Sequence, residues 1–272
     1  PTASGLTITG SHTLDNVTFN SGETVSTIAN SNTLTVAGTL SLTDGSINQT
    51  TIPATGSVSA QGNVTAALGW DGGTGTLVFS GSATQTFDLT GATGTVNGDV
   101  KVNKSGGQVN LASALVANAA SQDLFIEEGT FDLNGNNLTV NGTSGQLDVE
   151  SGGNLQLQGG ETITANASNP ELQSGSTVTY DGTAGPYTVK DYTYHHLTFN
   201  GSGGVFNLGA AESIAGNLPI TAGTFDIEGF NLTVTGTFSN NDKLRLQGGE
   251  TTVSLTNDTD SGTVEYDGTG SY

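Results

Sequence analysis

Only five side chains of this 272-residue sequence are lysine or arginine, and they limit the acid–base chemistry that the chain could perform. They are Lys101, Lys104, Lys190, Lys243 and Arg245. An enzyme that removes a proton from a sugar ring needs such a base beside carboxylates that bind a metal ion. Arg245 instead stands between Leu244 and Leu246 in an alternating segment, so we expect its side chain to be solvated.

Neighbouring carboxylates offer a second route to this chemistry, because a pair of them can divide the roles of acid and base. Glu127 and Glu128 are adjacent, and Asp148 and Glu150 flank Val149. The side chain of Val149 is predicted to point inward, which places its two acidic neighbours on a solvated strand face. We therefore expect no catalytic residues, and we expect the protein not to be an enzyme.

Metal binding has few candidate ligands. Cysteine and methionine are both absent, which excludes disulfides, thiolate metal sites and cysteine nucleophiles. The calcium-binding repeat of β-rolls is matched once, by residues 72–77, and that match lacks the required aspartate. The densest acidic turn holds Asp258 and Asp260, which are candidate Ca²⁺ ligands and fit a polar Asx turn better. We expect no cofactor, with Ca²⁺ as the open alternative.

The densest aromatic cluster is a candidate carbohydrate-binding surface. It contains Tyr187, Tyr192, Tyr194, His195 and His196. If Leu197 points inward and the alternation continues back from it, Tyr192, Tyr194 and His196 lie on the outer face. Exposed tyrosine rings there could stack on sugar rings. The alternative is that the tyrosines cover a loop or one end of the fold.

The balance of charges narrows the class of partner. With 25 acidic and 5 basic side chains the formal net charge is −20, so we expect no binding to nucleic acid or to an anionic membrane surface. No apolar run reaches the ~18–20 residues of a membrane helix, so membrane insertion is not expected either. The remaining partners are cations, glycans, host or cell surfaces, and other protein. The acidic, threonine-rich, cysteine-free composition favours an extracellular or cell-surface location.

Internal repeats determine the predicted architecture. Residues 129–143 return in related form at 223–237, and a second series of similar segments starts at Val17, Val100 and Leu197. The offsets vary between 83 and 97 residues, which indicates about three degenerate units of roughly 90 residues with insertions and deletions in their loops. The approximate units are 1–74, 75–174 and 175–262, with the start of a next unit at 263–272.

Within each unit, apolar and polar residues alternate over three to five positions and are followed by turns rich in Gly, Asn, Asp or Ser. Period-two alternation predicts strands, and helical spacing is almost absent. A β-sandwich would show longer strands and more buried aromatic residues, whereas aromatic residues are only 6% of this chain. Short strands that recur in coils of about 20 residues favour a solenoid. The sequence therefore predicts an all-β fold, a parallel β-solenoid of short strands and Gly/Asn turns, as one elongated domain over residues 1–272.

The strand-turn-strand segments at 129–143 and 223–237, which both begin Gly-Thr-Phe-Asp and end Gly-Thr, resemble the units of bacterial surface β-solenoids. That group includes autotransporter passengers and filamentous-haemagglutinin-like adhesins. The resemblance covers nearly all of the chain and rests on an architectural motif of low complexity. It implies a right-handed parallel β-helix, secretion, and a role as an adhesin, stalk or fibre. It carries no catalytic residues.

The end of the sequence indicates how such a solenoid could continue. The stretch that begins at Val264 repeats the one that begins at Val178, which is followed in its repeat by a segment similar to the one at Val17. Placing the C-terminal residues of one chain before the N-terminal residues of another therefore restores the repeat order. We predict an end-to-end contact through Val17, Phe19, Val264, Tyr266 and Tyr272.

The predicted function is that of an extracellular structural or adhesive β-solenoid, a fibre subunit or stalk segment that continues head to tail. Its partners would be further copies of itself or further solenoid repeats. The alternative is a carbohydrate-binding or carbohydrate-active solenoid, similar to a polysaccharide lyase or hydrolase. A dependence of polysaccharide binding on Ca²⁺ would distinguish the two functions. A chain of charge −20 repels polyuronates unless Ca²⁺ bridges the two.

Overall fold

The computed structural model describes residues 6–48, 56–92, 98–166, 170–256, 258–259 and 261–269. The regular structure of these residues consists of strands and one 3₁₀ turn at Thr90–Ala92. The strands run in parallel and stack as a β-solenoid of about 10 turns, which confirms the predicted all-β solenoid. None of the described segments forms a helix that is long and apolar enough to cross a membrane.

The chain divides into two compact units. The first consists of Pro1–Asp148 and Thr162–Glu171. Its described strands are β1 (Thr7–Ile8), β2 (His12–Leu14), β3 (Val17–Ile28), β4 (Thr33–Val36), β5 (Leu40–Ile47), β6 (Ser57–Ala60), β7 (Val64–Gly73), β8 (Thr76–Phe79), β9 (Gln85–Asp88), β10 (Val100–Leu111), β11 (Leu115–Ala117), β12 (Leu124–Asp132), β13 (Leu138–Val140) and β16 (Ile163–Ala165). Two strands, β14 (Leu147–Val149) and β17 (Glu171–Leu172), fall on the division between the units.

The second unit consists of Val149–Glu161 and Leu172–Tyr272. Its described strands are β15 (Gly153–Leu157), β18 (Thr177–Tyr180), β19 (Tyr187–Thr188), β20 (His196–Asn207), β21 (Glu212–Ile214), β22 (Leu218–Asp226), β23 (Leu232–Val234), β24 (Phe238–Asn240), β25 (Lys243–Leu246), β26 (Val253–Ser254) and β27 (Thr263–Tyr266).

Columns of parallel strands run through the first unit. The strands β2, β4, β6 and β8 pair in that order and lead to the first half of β10. The strands β3, β5, β7 and β9 form a neighbouring column that leads to the second half of β10. A third column consists of β11, β13 and β16. Each coil of the chain thus adds one strand to each of several parallel ladders.

The second unit is built in the same way. The strands β15 and β18 lead to the first half of β20, which continues through β22 to β24. The second half of β20 pairs with β19 on one side and with β22 on the other, and that column continues through β25 to β27. A third column consists of β21, β23 and β26.

The length of a coil varies around the predicted value of about 20 residues. Val178 pairs with Leu197, which is 19 residues further along the chain. Leu138 pairs with Ile163, which is 25 residues further along. The strands keep their register in both places, so the corner turns accommodate the difference.

Alternation of inward and outward side chains builds the core of each unit. In β10, Val100, Val102, Val109 and Leu111 are buried, and they stack on apolar residues of the paired strands. Lys104 is an unexpected member of this row, because its side chain is only 1% exposed. Rows of Val, Leu, Ile and Phe therefore fill a narrow core, as the composition predicts.

Three strands share a bend that recurs along the chain. The strands β3, β10 and β20 each have 12 residues, and in each the pairing register shifts on both sides of an asparagine: Asn20, Asn103 and Asn200. The shorter strands β12 and β22 bend at Gly129 and Gly223, whose φ angles are +85° and +95°. A side chain at either glycine would meet the backbone of the preceding coil, so the bend requires glycine.

Asparagine side chains join successive coils at the corners that precede strands. The Oδ1 atom of Asn63 accepts a hydrogen bond from the N–H of Thr86 at 2.8 Å. Asn137 accepts the N–H of Thr162 at 2.8 Å in the same way. Each asparagine therefore satisfies a corner N–H group of the following coil, which has no ladder partner.

Candidate functional site

The aromatic cluster that was predicted to bind carbohydrate lies inside the second unit. Tyr192 is 8% exposed and Tyr194 is fully buried, whereas His196 at the start of β20 is partly exposed. The predicted outer row is therefore wrong for both tyrosines. Residues 189–195 form no strand, so the alternation counted back from Leu197 does not extend through them.

Hydrogen bonds hold the buried tyrosines in place. The hydroxyl of Tyr194 donates to the carbonyl oxygen of Lys190 at 2.5 Å and lies 3.2 Å from the hydroxyl of Tyr180. The Tyr180 hydroxyl also accepts the N–H of Lys190 at 2.9 Å. Burial raises the pKa of Tyr180 to about 12, so this phenol keeps its proton at neutral pH. The two rings are part of the core and have no face free to stack on a sugar.

One carboxyl group near this cluster has a strongly raised pKa. Glu212, the first residue of β21, is partly buried. Loss of hydration and the nearby charge of Asp191 raise the pKa of Glu212 to about 7, against a hydrogen bond of 2.9 Å that its Oε1 atom accepts from the N–H of Ser213. The folded state therefore keeps the proton on this side chain to higher pH than the unfolded chain does.

We expect the Glu212→Gln variant to remove part of the pH dependence of stability. The folded-state pKa of about 7 lies above the ordinary 4.5, so the contribution of Glu212 to the free energy of unfolding falls as the pH rises through this interval. Because the side chain is only partly buried, solvent screening limits this change to about 1 kcal/mol. Urea unfolding near pH 5 and near pH 8 measures the effect. A constant difference between variant and parent at both pH values would contradict the raised pKa.

The structure places two of the carboxylates considered for acid–base chemistry, Glu127 and Asp148, in structural positions. Glu127 accepts hydrogen bonds from the Nζ atom of Lys101 and the Nδ2 atom of Asn103, both at 2.8 Å. Asp148 is buried, whereas a solvated position was predicted for it. All three residues of β14 are buried, so period-two alternation fails over this short strand. The absence of enzymatic activity stays a prediction.

The candidate calcium ligands are placed only in part. The Oδ2 atom of Asp258 accepts the N–H of Asn240 at 2.8 Å, whereas Asp260 lies outside the described residues. In the part of the chain that the structure describes, no group of three or more His, Asp or Glu side chains is arranged to hold a metal ion. Calcium binding and the absence of a cofactor both stay predictions.

The strand β27 is the candidate functional site, because its pairing is one-sided. The N–H groups of Thr263 and Asp267 donate to the carbonyl oxygens of Asp242 and Leu246 at 2.7 and 2.9 Å, which joins β27 to β25. In a parallel ladder, successive residues direct their N–H and C=O groups to opposite edges. The backbone groups of Val264 therefore point to the other edge, where no described strand pairs with β27.

The apolar side chains of β27, like the backbone groups of its open edge, are exposed. Val264 is 48% exposed and Tyr266 is 70% exposed. Their counterparts in the repeat, Val178 and Tyr180 of β18, are fully buried, because β20 pairs with β18 on the side that is open in β27. We call the apolar surface beside β27 the open core surface; it is formed by Leu246, Val253, Leu255, Val264 and Tyr266.

Ion pairs connect the charged side chains beside β27. The outward carboxylate of Glu265 lies 2.8 Å from the Nζ atom of Lys243 and 3.4 Å from the Nε atom of Arg245. These cations lower the pKa of Glu265. Arg245 also contacts Asp226 at 3.1 Å and Asp267 at 3.5 Å. Arg245, which was predicted to be a solvated side chain, thus links β25 to the strands on both sides of it.

The predicted contact residues at the other end lie in β3. Phe19 is buried, whereas Val17 is partly exposed. The N–H of Val17 donates to the carbonyl oxygen of Thr39 at 3.0 Å, on the side of β5. The next residue, Thr18, is exposed and directs its backbone groups to the opposite edge of β3. Tyr272 lies outside the described residues.

Sequence reasoning missed Thr18 and Glu265, whose side chains lie outward on the two open edges. The signal was present, because the alternation that turns Val17 and Val264 inward turns these two neighbours outward. Both are also the residues at which a contact between the edges could be detected.

No protein-family model, curated protein or solved structure matches the chain.

Proposed function

We propose that the protein is an extracellular structural or adhesive β-solenoid, a fibre subunit or stalk segment that continues head to tail. The observation that supports this proposal is the open edge of β27. The equivalent strand β18 is covered by β20, whereas β27 exposes both backbone groups and apolar side chains. The sequence resemblance to bacterial surface β-solenoids agrees with such a role.

An unpaired strand edge is a template for the addition of another strand. Soluble proteins commonly block such an edge with lysine, proline or a charge that points inward. The sequence of β27 is Thr-Val-Glu-Tyr, and the carboxylate of its Glu265 is neutralised by Lys243. The edge is therefore suited to extending the ladder.

One support for the carbohydrate-binding alternative was an exposed row of aromatic side chains. Tyr192 and Tyr194 are buried, and stacking on a sugar requires an accessible ring face. We therefore propose no sugar-stacking role for Tyr192 and Tyr194, whereas a role of the partly exposed His196 and the carbohydrate alternative itself stay predictions.

We expect the protein to self-associate as its concentration rises, and the Val264→Lys/Tyr266→Lys variant to stay monomeric. Two lysines on the open core surface would have to lose their hydration in any contact, which blocks strand addition. Sedimentation velocity in about 0.15 M salt, which screens the repulsion between acidic chains, measures the association. Electron microscopy shows whether the associated species are linear.

The matched control is Leu68→Lys/Phe230→Lys, which adds the same charge at exposed apolar residues outside β27. This control should associate as the parent does. A parent protein that is monomeric at every concentration would contradict the proposed function. Equal loss of association in both variants would show that β27 is not the contact.

A further inference from the structure

We propose that the strand which pairs with the open edge of β27 is the first half of β3 from a second copy of this chain, with Val264 beside Val17 and Glu265 beside Thr18. This inference rests on the proposed function and names the partner of the same edge. An internal interface of the second unit shows what covers a strand of this type.

The pairing of β18 with β20 is that internal interface. Val178 pairs with Leu197 and Tyr180 with Phe199, in parallel and without a register shift. The strand β27 corresponds to β18 in the repeat. Each is bonded in the same way to the strand of the preceding coil, β25 for β27 and β15 for β18. Asp181 donates to Leu157 at 2.8 Å, as Asp267 donates to Leu246 at 2.9 Å. A strand of the β20 type would therefore fit the open edge of β27.

The strand β3 is of the β20 type in its shape as well as in its sequence. Both have 12 residues, and both shift register on the two sides of an asparagine, Asn20 in β3 and Asn200 in β20. In both, the first apolar residue is bonded to the following coil. Val17 donates to Thr39 at 3.0 Å, and Leu197 donates to Asn217 at 3.1 Å.

The residues that precede β3 also fit the junction. In the second unit, β19 lies between β18 and β20 in sequence and pairs with the second half of β20. In the first unit, β1 precedes β3 and pairs with its second half, Thr7 with Thr27 and Ile8 with Ile28. A second copy therefore brings its own β1 to the position that β19 occupies beside β20. The first half of β3 has no such partner among the described strands, just as β27 has none on its open edge.

The backbone and the charges of the two edges are complementary. Thr18 on β3 and Val264 on β27 each direct an N–H and a C=O group to the open side, as a parallel ladder requires. The outward neighbours in the proposed register are Glu265 and Thr18, so no two like charges stand opposite each other. Glu265 already has its counterion in Lys243 at 2.8 Å, and Thr18 is neutral, so pairing brings no further charge to this carboxylate.

The test uses disulfide formation between two proteins that each carry one cysteine. The parent chain has no cysteine, so a Glu265→Cys protein and a Thr18→Cys protein can be mixed and oxidised without competing thiols. Adjacent strands lie about 4.8 Å apart, within the Cα separation that a disulfide spans. We expect the mixed disulfide dimer to be the main product, and the Val264→Lys/Tyr266→Lys changes in the Glu265→Cys protein to abolish it.

The control is Ser41→Cys, on the strand that pairs with β3 one coil further on, where Thr18 is beside Ser41. Its Cα atom would lie about 9.6 Å from position 265, beyond the reach of a disulfide. Equal yields with Ser41→Cys and Thr18→Cys would overturn the proposed register. So would a predominant disulfide between two Glu265→Cys chains, which would indicate tail-to-tail contact.

Failure of this inference can be distinguished from failure of the proposed function. Linear association of the parent without the mixed disulfide overturns the choice of β3 and leaves the head-to-tail role standing. Absence of association overturns both. If a cysteine variant fails to fold, hydrogen exchange on the parent gives the same answer, because the amides of Thr18 and Val264 should become protected when the chains associate. Unchanged exchange at these two amides in associated protein would also overturn the inference.

Discussion

Replacement of Phe199 by alanine is expected to lower the free energy of unfolding by about 3–5 kcal/mol. The Phe199 side chain is fully buried, and its ring centroid lies 4.4 Å from that of Phe225, 5.2 Å from that of Phe206 and 5.7 Å from that of Tyr180. The substitution removes the centre of this aromatic stack and leaves a cavity between coils that strands cannot close without losing register. Denaturant unfolding followed by far-ultraviolet circular dichroism measures the loss.

The matched control is Phe230→Ala, because Phe230 is 37% exposed and lies in a turn of the same unit. Its removal should change the free energy of unfolding by about 0.5 kcal/mol. Similar losses for Phe199→Ala and Phe230→Ala would contradict the view that stacked aromatic rings stabilise the second unit.

The second large effect is expected at Lys104. Its ammonium group donates to the carbonyl oxygen of Ala83 at 2.8 Å, to that of Ser80 at 3.3 Å and to the Oε1 atom of Gln85 at 2.5 Å. Burial lowers the pKa of Lys104, since its three acceptors are neutral oxygens. We expect Lys104→Met to lower the free energy of unfolding by about 2–3 kcal/mol, because it removes the donor from all three oxygens, of which the Oε1 atom of Gln85 is buried. Urea unfolding at neutral pH gives the value.

Lys101 provides the comparison for this second effect. Its side chain is 33% exposed and forms an ion pair of 2.8 Å with Glu127. An exposed pair of this kind contributes little, so Lys101→Met should cost about 0.5 kcal/mol. A Lys104→Met variant as stable as the parent would show that the desolvation of the ammonium group outweighs its three hydrogen bonds.

The strands could be predicted from the sequence because each has one buried face and therefore a period of two. The segments at Leu138–Val140 and Leu232–Val234, which were identified as repeats, are equivalent strands of the two units. Their burial patterns are the same, with the central threonine turned outward. Local pattern and fold agree wherever a segment is a strand.

The prediction from period-two alternation failed where no strand forms. Tyr192 and Tyr194 lie between β19 and β20 in a stretch whose backbone is fixed by hydroxyl hydrogen bonds to Lys190. Lys104 shows a second limit, because its oxygen acceptors come from residues 80–85, about one coil earlier in the chain. Neither arrangement changes the local alternation of apolar and polar residues in the sequence. The contact predicted at Val264 and Tyr266 came instead from the order of the repeats, and both side chains are exposed in β27.

Parallel register has a consequence for how such a chain can evolve. Val178 pairs with Leu197 and Leu244 pairs with Val264, so each coil presents to the next the same kind of edge that it covers. Duplication or loss of the coding segment for one whole coil therefore leaves the pairing of the remaining strands unchanged. Recombination between the repeats can alter the number of coils without requiring any new kind of strand contact.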